Sequence, residues 1–254
     1  MNNVPQRIAA WQDTLRTAPQ YHGSGSRKYT WAPPDKFVMN QQYEHTKILV
    51  VDNDLVDIGK ECLGYEPVVL NLADDNMPGG CVDGGSGASE EAMFRRSNYF
   101  RTLTRDMYPL GNYEAIYSPN VTVYKENYQK NYAYHKPYDL SFIACPGIKY
   151  PKLKSDGHMN DEDLLILEKK IELILQIAYA YDHKVLVLGA LGCGAWNNNP
   201  IDVAKTFKKV LRKYNGVFEV IIFAIMKRAE RDHVSKHDET HLDNFAVFKK
   251  ILVD

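Results

Sequence analysis

The sequence predicts a three-layer α/β/α domain, a sheet covered by helices on both sides. Three observations predict it. From residue 47 onward, strand-like runs alternate with helical ones. Several of the strand-like runs are apolar on both faces, as a sheet buried on both sides requires. The 254 residues are 44% apolar and 25% charged, the composition of a soluble globular chain long enough to bury its own core.

The elements follow in order. Residues 6–18 place Ile8, Trp11 and Leu15 at i, i+3 and i+7, a short amphipathic helix. Residues 19–45, rich in Pro, Gly, Ser and Tyr, have no period. Residues 1–45 are therefore read as an N-terminal extension packed on a domain spanning 46–254. Within that domain, 47–51 is a β-branched strand, and 54–63 a helix capped by Asn53 or Asp54. A second buried strand covers 67–72. A helix over 90–106 carries Met93, Phe100 and Leu103 on one face. Strands follow at 115–124 and 140–145. A long helix over 161–181 has Asn160 as its N-cap, and 184–189 is another buried strand. The clearest helix is 200–214, with Val203, Phe207, Val210, Leu211 and Tyr214 on one stripe, Asn199 to cap it, Pro200 at its first position and Gly216 to end it. A strand over 217–226 and a helix near 240–252 complete about six strands. The charged stretch 227–241 reads as solvated.

Charge and cysteines narrow the function classes. There are 31 Lys and Arg against 32 Asp and Glu, a net charge of −1, so no global field draws the chain to nucleic acid or an anionic membrane. Cys62, Cys81, Cys145 and Cys193 form no C-x-x-C pair and have no histidine at zinc-finger spacing. No disulfide framework or metal site is expected, and a reducing compartment is. The first residues are too polar for a signal peptide, and no apolar run reaches the ~20 residues of a membrane span. His135, His158 and His183 read as surface or core residues. Cys62 and Cys145 read as small core residues, and the tyrosine-rich stretch 124–138, which could stack bases, as a hairpin or loop.

In sheets of this kind ligands collect outside the carboxyl ends of strands. Two loops there have unusual composition. The first follows the 67–72 strand and has five glycines between Gly79 and Gly87, then Ser89, Glu90 and Glu91 at a helix start. It suits close backbone approach to a ligand beside two carboxylates, although a long surface loop with a Ser N-cap and dipole-favoured acids would read the same. The second follows the 184–188 strand and reads Gly189-Ala190-Leu191-Gly192-Cys193-Gly194-Ala195-Trp196 before Asn199-Pro200. It has the pattern of a loop whose amides and following helix N-terminus hold an anion, or of a tight strand-to-helix turn. No Lys follows its glycines as a P-loop demands, and a dinucleotide G-x-G-x-x-G is not met. Together the loops suggest a phosphate-bearing ligand with a carboxylate beside its reacting end.

The two loops resemble those of the macrodomain-like poly(ADP-ribose) glycohydrolases, specifically the microbial type. Gly79-Gly80-Cys81, seven residues, then Ser89-Glu90-Glu91 is similar to that family's GGG…QEE signature. Asn71-Leu72-Ala73 is similar to its N-F-A strand end, and Gly189–Trp196 to its diphosphate loop. Tyr117-Ser118-Pro119-Asn120-Val121 also resembles a family segment. The resemblance runs from about residue 45 onward, and the family also has an N-terminal extension like residues 1–45. It implies a macrodomain-like sandwich with a mixed central sheet, and hydrolysis of the ribose–ribose O-glycosidic bond of poly(ADP-ribose). Glu91 is implied as the acid and Glu90 as a holder of ribose hydroxyls. Asn71 would orient the distal ribose, and Gly79, Gly80 and Cys81 would form the catalytic loop. Gly192, Cys193 and Gly194 would offer amides to the diphosphate, with Gly189, Leu191 and Ala195 in the same ADP-ribose-binding loop and Trp196 packing on ribose or adenosine. Asn53 and Asp54 are implied as adenine contacts, which helix capping explains equally well.

The resemblance implies poly(ADP-ribose) or ADP-ribosylated protein as substrate and ADP-ribose as product. It implies no cofactor, metal, membrane or direct nucleic-acid partner, and a monomer inside the cell, in cytoplasm or nucleus. A hydrolase of single ADP-ribose groups on protein or nucleic acid and a non-catalytic ADP-ribose reader are the alternatives. Chemistry adds one demand. A general acid at a helix N-terminus must overcome the dipole, through burial and the adjacent carboxylate. Three departures bear on the site. Cys81 stands where the family has a third glycine, which is costly if that position needs positive φ. Ser89 replaces a longer amide, and Asp74-Asp75 put acid near a diphosphate.

Overall fold

The computed structural model describes residues 3–22, 25–227 and 242–253. Its helices are α1 (Val4–Thr17), α2 (Leu55–Glu61), α3 (Ser89–Arg96), α4 (Asp161–Ala180), α5 (Pro200–Lys213) and α6 (Asn244–Leu252). The strands are β1 (Arg27–Thr30), β2 (Lys47–Val51), β3 (Val68–Leu72), β4 (Glu114–Lys125), β5 (Tyr134–Cys145), β6 (Val185–Leu188) and β7 (Val220–Ala224). They form one sheet in the order β1-β4-β5-β3-β6-β7-β2. The pairs from β5 through β2 are parallel, and β4 and β1 add an antiparallel edge, so the sheet is mixed.

The central strands are buried on both faces. Val68, Leu70, Leu186, Leu188, Ile221 and Phe223 pack with residues of α4, α5 and α6. Val69, Phe142, Val187 and Ile222 point the other way, onto Trp11 of α1, Leu55 and Ile58 of α2, and Met93 and Phe94 of α3. This is the three-layer α/β/α arrangement. Residues 1–45 supply α1 to one helical layer and β1 to the sheet edge, one strand more than the six expected.

The caps follow the sequence closely. Asn160 accepts from Asp163 N, and Asn199 from Ile201 N and Asp202 N ahead of Pro200. Asp54, not Asn53, caps α2, accepting from the amides of Val56 and Asp57. Two readings need correction. The helix expected over 90–106 ends at Arg96, because Ser97 is extended and bridges Val123 while Asn98 N donates to Thr122 O. Pairing to β4 thus overrides the helical period, and short 3₁₀ turns carry the chain onward. Ser89 is not the cap of α3. It is the first helical residue, and Ala88 holds the extended cap position with no side-chain bond. The tyrosine-rich stretch is the β4–β5 hairpin. Part of the charged stretch, 228–241, and the expected helix start at 240 lie outside the described residues.

Two histidines have partners that sequence spacing did not reveal. His158 Nδ1 lies 2.7 Å from Asp202 Oδ1 on α5. His183 sits between Tyr117 Oη (2.9 Å) and Glu66 O (2.7 Å), and burial lowers its pKa. Cys145 is fully buried and Cys62 partly so.

Candidate active site

The carboxyl ends of the five parallel strands open on one cleft of about 380 Å³. Asn53 and Asp54 follow β2, Ala73 and Asp74 follow β3, and Gly147 follows β5. Ala190 and Gly192 follow β6, and Ile225 and Met226 follow β7; all of them line the cleft. Gly80, Cys81, Glu90 and Glu91 form one side of it, and Gly192, Gly194, Ala195 and Trp196 another.

The acidic side is tightly held. Glu91 is 6% exposed, and its Oε1 accepts from the Cys81 amide at 3.1 Å. Gly80 makes this approach possible. Its φ is +49°, and a Cβ there would lie 2.8 Å from Glu91 Oε1. Cys81 itself has φ −96°, so the departure from a third glycine carries no backbone strain, and its side chain is exposed. Glu90 is 2% exposed and accepts from Asn71 Nδ2 (3.1 Å) and Asp74 N (2.7 Å). Burial, reinforced by the Glu91 charge, pushes the Glu90 carboxyl up to about 8 against the pull of those donors. A proton on Glu90 has an acceptor at hand. Asn71 Oδ1 is buried without a partner, and turning that amide over would let Glu90 donate to it.

The loop after β6 presents backbone to the cleft. Cys193 N donates to Ala190 O (3.1 Å), Asn197 N to Gly194 O (3.1 Å) and Asn198 N to Gly192 O (3.1 Å), a compact turn leading into α5. Among the described residues the amides of Gly192, Gly194, Ala195 and Trp196 are left without such bonds. Asn198, fully buried, ties the turn to the segment after β5. Its Nδ2 donates to Ile148 O (2.5 Å) and Trp196 O (3.2 Å), and its Oδ1 accepts from Ile148 N (3.3 Å). Lys149 lies 5.3 Å from the centre of the Trp196 ring. It also pairs with Asp75 at 2.8 Å, which neutralises one of the two acids expected to oppose a diphosphate. Asp74 Oδ1 accepts from the amides of Asn76 and Met77 and so closes its own turn.

Five residues expected at the ligand do not line the cleft. Leu191 and Cys193 are fully buried in the core, and the Cys193 amide is engaged within the turn. Gly189 lies behind, against Leu72 and Leu55, and Gly79 is buried against Phe94. Asn71 is fully buried and bonds Glu90 instead of facing the cleft. A tight turn must bury some of its side chains to anchor the rest, which accounts for Leu191 and Cys193. Asn53 and Asp54 do line the cleft. Asp54 also caps α2 and pairs with Arg96 at 2.6 Å.

Other lining residues escaped the sequence reading. The strand-end rule applied to β5 and β7 would have found Gly147, Ile225 and Met226. Tyr128, on the β4–β5 hairpin, belongs to the tyrosine-rich stretch that could stack bases, and Asn244, at the start of α6, arrives from outside the strand-end loops with no local signal.

Residues 11–126 match the microbial-type PARG catalytic domain. PARG is poly(ADP-ribose) glycohydrolase, the family that the two loops resemble. The match begins within the N-terminal 45 residues, the segment that is similar to the family's N-terminal extension. It contains the Gly79–Glu91 loop and stops before the 189–196 loop. No curated protein matches the chain. Among solved structures, PARG from Thermomonospora curvata aligns with a TM-score of 0.78 at 23% identity, covering 97% of this chain and 99% of its own. The same enzyme bound to the inhibitor ADP-HPD gives 0.73 at 24%, again covering 97% and 99%. PARG from Deinococcus radiodurans in complex with ADP-ribose gives 0.72 at 22%, covering 96% of each chain. The chain therefore has the fold of the bacterial PARG structures.

Among the described residues, no group of three His, Cys, Asp or Glu side chains is placed to hold a metal ion, and no helix is long and apolar enough to cross a membrane.

Proposed function

We propose that this chain is a glycohydrolase that cleaves the ribose–ribose O-glycosidic bond of poly(ADP-ribose) and releases ADP-ribose. One observation carries the reading. The carboxylate of Glu91 and Gly192, Gly194, Ala195 and Trp196, whose amides make no backbone bond among the described residues, line the same cleft, so a diphosphate held on one side leaves a sugar linkage within reach of the other. The family match over 11–126 and the fold shared with PARG structures bound to ADP-ribose and to ADP-HPD support it.

In this reading Glu91 protonates the departing ribose oxygen as the bond to the anomeric carbon breaks. Water then adds to the oxocarbenium-like centre and returns its proton to Glu91. The diphosphate, fixed by amides, offsets the positive charge on the sugar. Glu90 holds ribose hydroxyls, with Asn71 and the Asp74 amide fixing its orientation. Trp196 packs against ribose or adenosine, and Asn53 and Asp54 lie where they can meet the base. The enzyme acts as a monomer inside the cell, in cytoplasm or nucleus, with no cofactor.

The test is turnover of polymer by wild type beside Glu91→Gln, with ADP-ribose binding measured on both. Release of ADP-ribose by the wild type alone, with binding retained by both, is expected. Cleavage confined to single protein-linked ADP-ribose groups would replace polymer as substrate, and tight binding with no cleavage of either would make the protein a reader.

A further inference from the structure

The loop that carries Cys81 to Glu91 is not supported by its own sheet alone. Helix α1 lies across it. Arg7, 3% exposed, donates from Nε to Gly85 O at 2.6 Å. Trp11, 5% exposed, donates from Nε1 to Asp83 Oδ1 at 2.6 Å. The contact at Gly85 is close. Its φ is +72°, and a Cβ there would lie 3.0 Å from Val4 O. Both bonds land on the turn that follows Cys81, and that turn bonds back to Cys81. Gly84 N and Ser86 N both donate to Cys81 O, at 3.1 and 3.3 Å. The Cys81 amide in turn donates to Glu91. A displacement of the turn at 83–86 therefore moves the peptide that orients the Glu91 carboxylate.

Helix α1 is itself fixed at a second point. Lys125, 1% exposed on β4, pairs with Asp13 at 2.7 Å and donates to Thr14 Oγ1 at 2.9 Å, and Thr14 Oγ1 donates to Arg95 O on α3 at 2.5 Å. A helix anchored on the sheet at one end and hydrogen-bonded to the loop at the other is a strut.

We infer that α1 sets the position of Glu91, with Trp11, Arg7 and Asp83 as positioning residues that touch no substrate. This rests on the hydrolase reading, since a strut matters to turnover only if Glu91 acts. The helix thus couples the N-terminal segment to the rate of the chemical step and leaves ligand affinity alone.

The experiment compares Trp11→Phe, Asp83→Ala and Asp83→Asn with wild type. Phenylalanine keeps most of the ring packing and loses the donor. Asp83 is exposed, so Asp83→Ala leaves the fold intact, and Asp83→Asn keeps an acceptor. Trp11→Phe and Asp83→Ala should each lower kcat about tenfold with KM within twofold, because a small misplacement of a reacting group slows chemistry more than binding. Asp83→Asn should stay near wild type, and the double variant Trp11→Phe/Asp83→Ala should be no worse than either single one. Hydrogen exchange of the Gly84–Ser86 amides, measured without substrate, should quicken several-fold in Trp11→Phe and Asp83→Ala only. Unchanged kcat, additive losses, or unchanged exchange at these amides would overturn the strut. A wild type that binds ADP-ribose but cleaves nothing would overturn the hydrolase reading instead, and the exchange arm would still decide whether α1 holds the loop.

Discussion

The loop entering α3 and the loop entering α5 both leave a parallel strand, both are rich in glycine, and both end at a helix N-terminus, yet they manage charge in opposite ways. In the first, donors are already engaged: the Cys81 amide holds Glu91, and Asn71 and the Asp74 amide hold Glu90. In the second, the amides of Gly192, Gly194, Ala195 and Trp196 have no such partner among the described residues. One side supplies its own carboxyl groups and satisfies them; the other leaves an anion-shaped deficit. A ligand with a diphosphate at one end and a glycosidic bond at the other fits that difference, and a ligand with two like ends does not. Damage to the first side should therefore appear in kcat, and damage to the second in affinity.

Glu91→Gln should give the largest separation. Loss of the group that moves the proton should cost on the order of 10³-fold in kcat, while ADP-ribose binds within a few-fold of wild type, as calorimetry can check. Equal losses in rate and affinity would mean that Glu91 grips the ligand and does not act on it, and the comparison would fail at its centre.

Glu90 sharpens the same side through pH. Its ordinary value is 4.5, and burial pushes it to about 8 in the folded protein. Between these values the folded state holds a proton that the unfolded state has released. Stability therefore falls as pH rises through that window, and the loss is complete above about 8. Glu90→Gln removes the titration. Its thermal stability should vary less between pH 5 and 8 than that of the wild type, with a relative gain on the order of 3 kcal/mol at the alkaline end. Parallel curves for the two proteins would show that Glu90 carries no proton in the folded state.

On the amide side, Asn198→Ala removes three bonds that hold the turn to Ile148 and to the Trp196 carbonyl. ADP-ribose affinity should fall about tenfold, with Tm lowered by the loss of buried hydrogen bonds and kcat at saturating substrate nearly unchanged.

The two sides also differed in how far the sequence disclosed them. Glycine density and the acidic pair pointed to the first loop, and the G-x-G turn before Asn199-Pro200 to the second, because both signals are local. The same local view could not tell which residues of a turn face the ligand. Leu191 and Cys193 sit in a glycine-rich loop but turn into the core, and Asn71 serves Glu90 from behind. Nor could it see contacts across the chain. The end of α3 at Arg96 is set by pairing with β4, and the hold of α1 on residues 83–85 joins positions more than 70 apart in sequence. The strand order, with β3 between β5 and β6, brought the two loops together, and no period within a segment encodes that order.

Lys149 bridges the two sides, and its effect should be the smallest. It pairs with Asp75 on the acidic loop and lies over the Trp196 ring of the amide loop. Asp75 pulls the Lys149 pKa upward, so the ammonium stays charged at neutral pH. Both partners are partly exposed, at 38% and 29%, so water screens the pair and its own stabilisation is below about 1 kcal/mol. Its effect on a diphosphate is to cancel the Asp75 carboxylate that would otherwise repel it. Lys149→Ala should accordingly weaken ADP-ribose binding about threefold at low ionic strength and leave Tm almost unchanged. Because the repulsion unmasked is between partly solvated charges, the difference from wild type should shrink as salt is raised to about 0.5 M, where the screening length falls to a few ångströms. A loss that persists at high salt would assign Lys149 a packing role on Trp196, and the charge contrast between the two sides would then rest on the backbone amides alone.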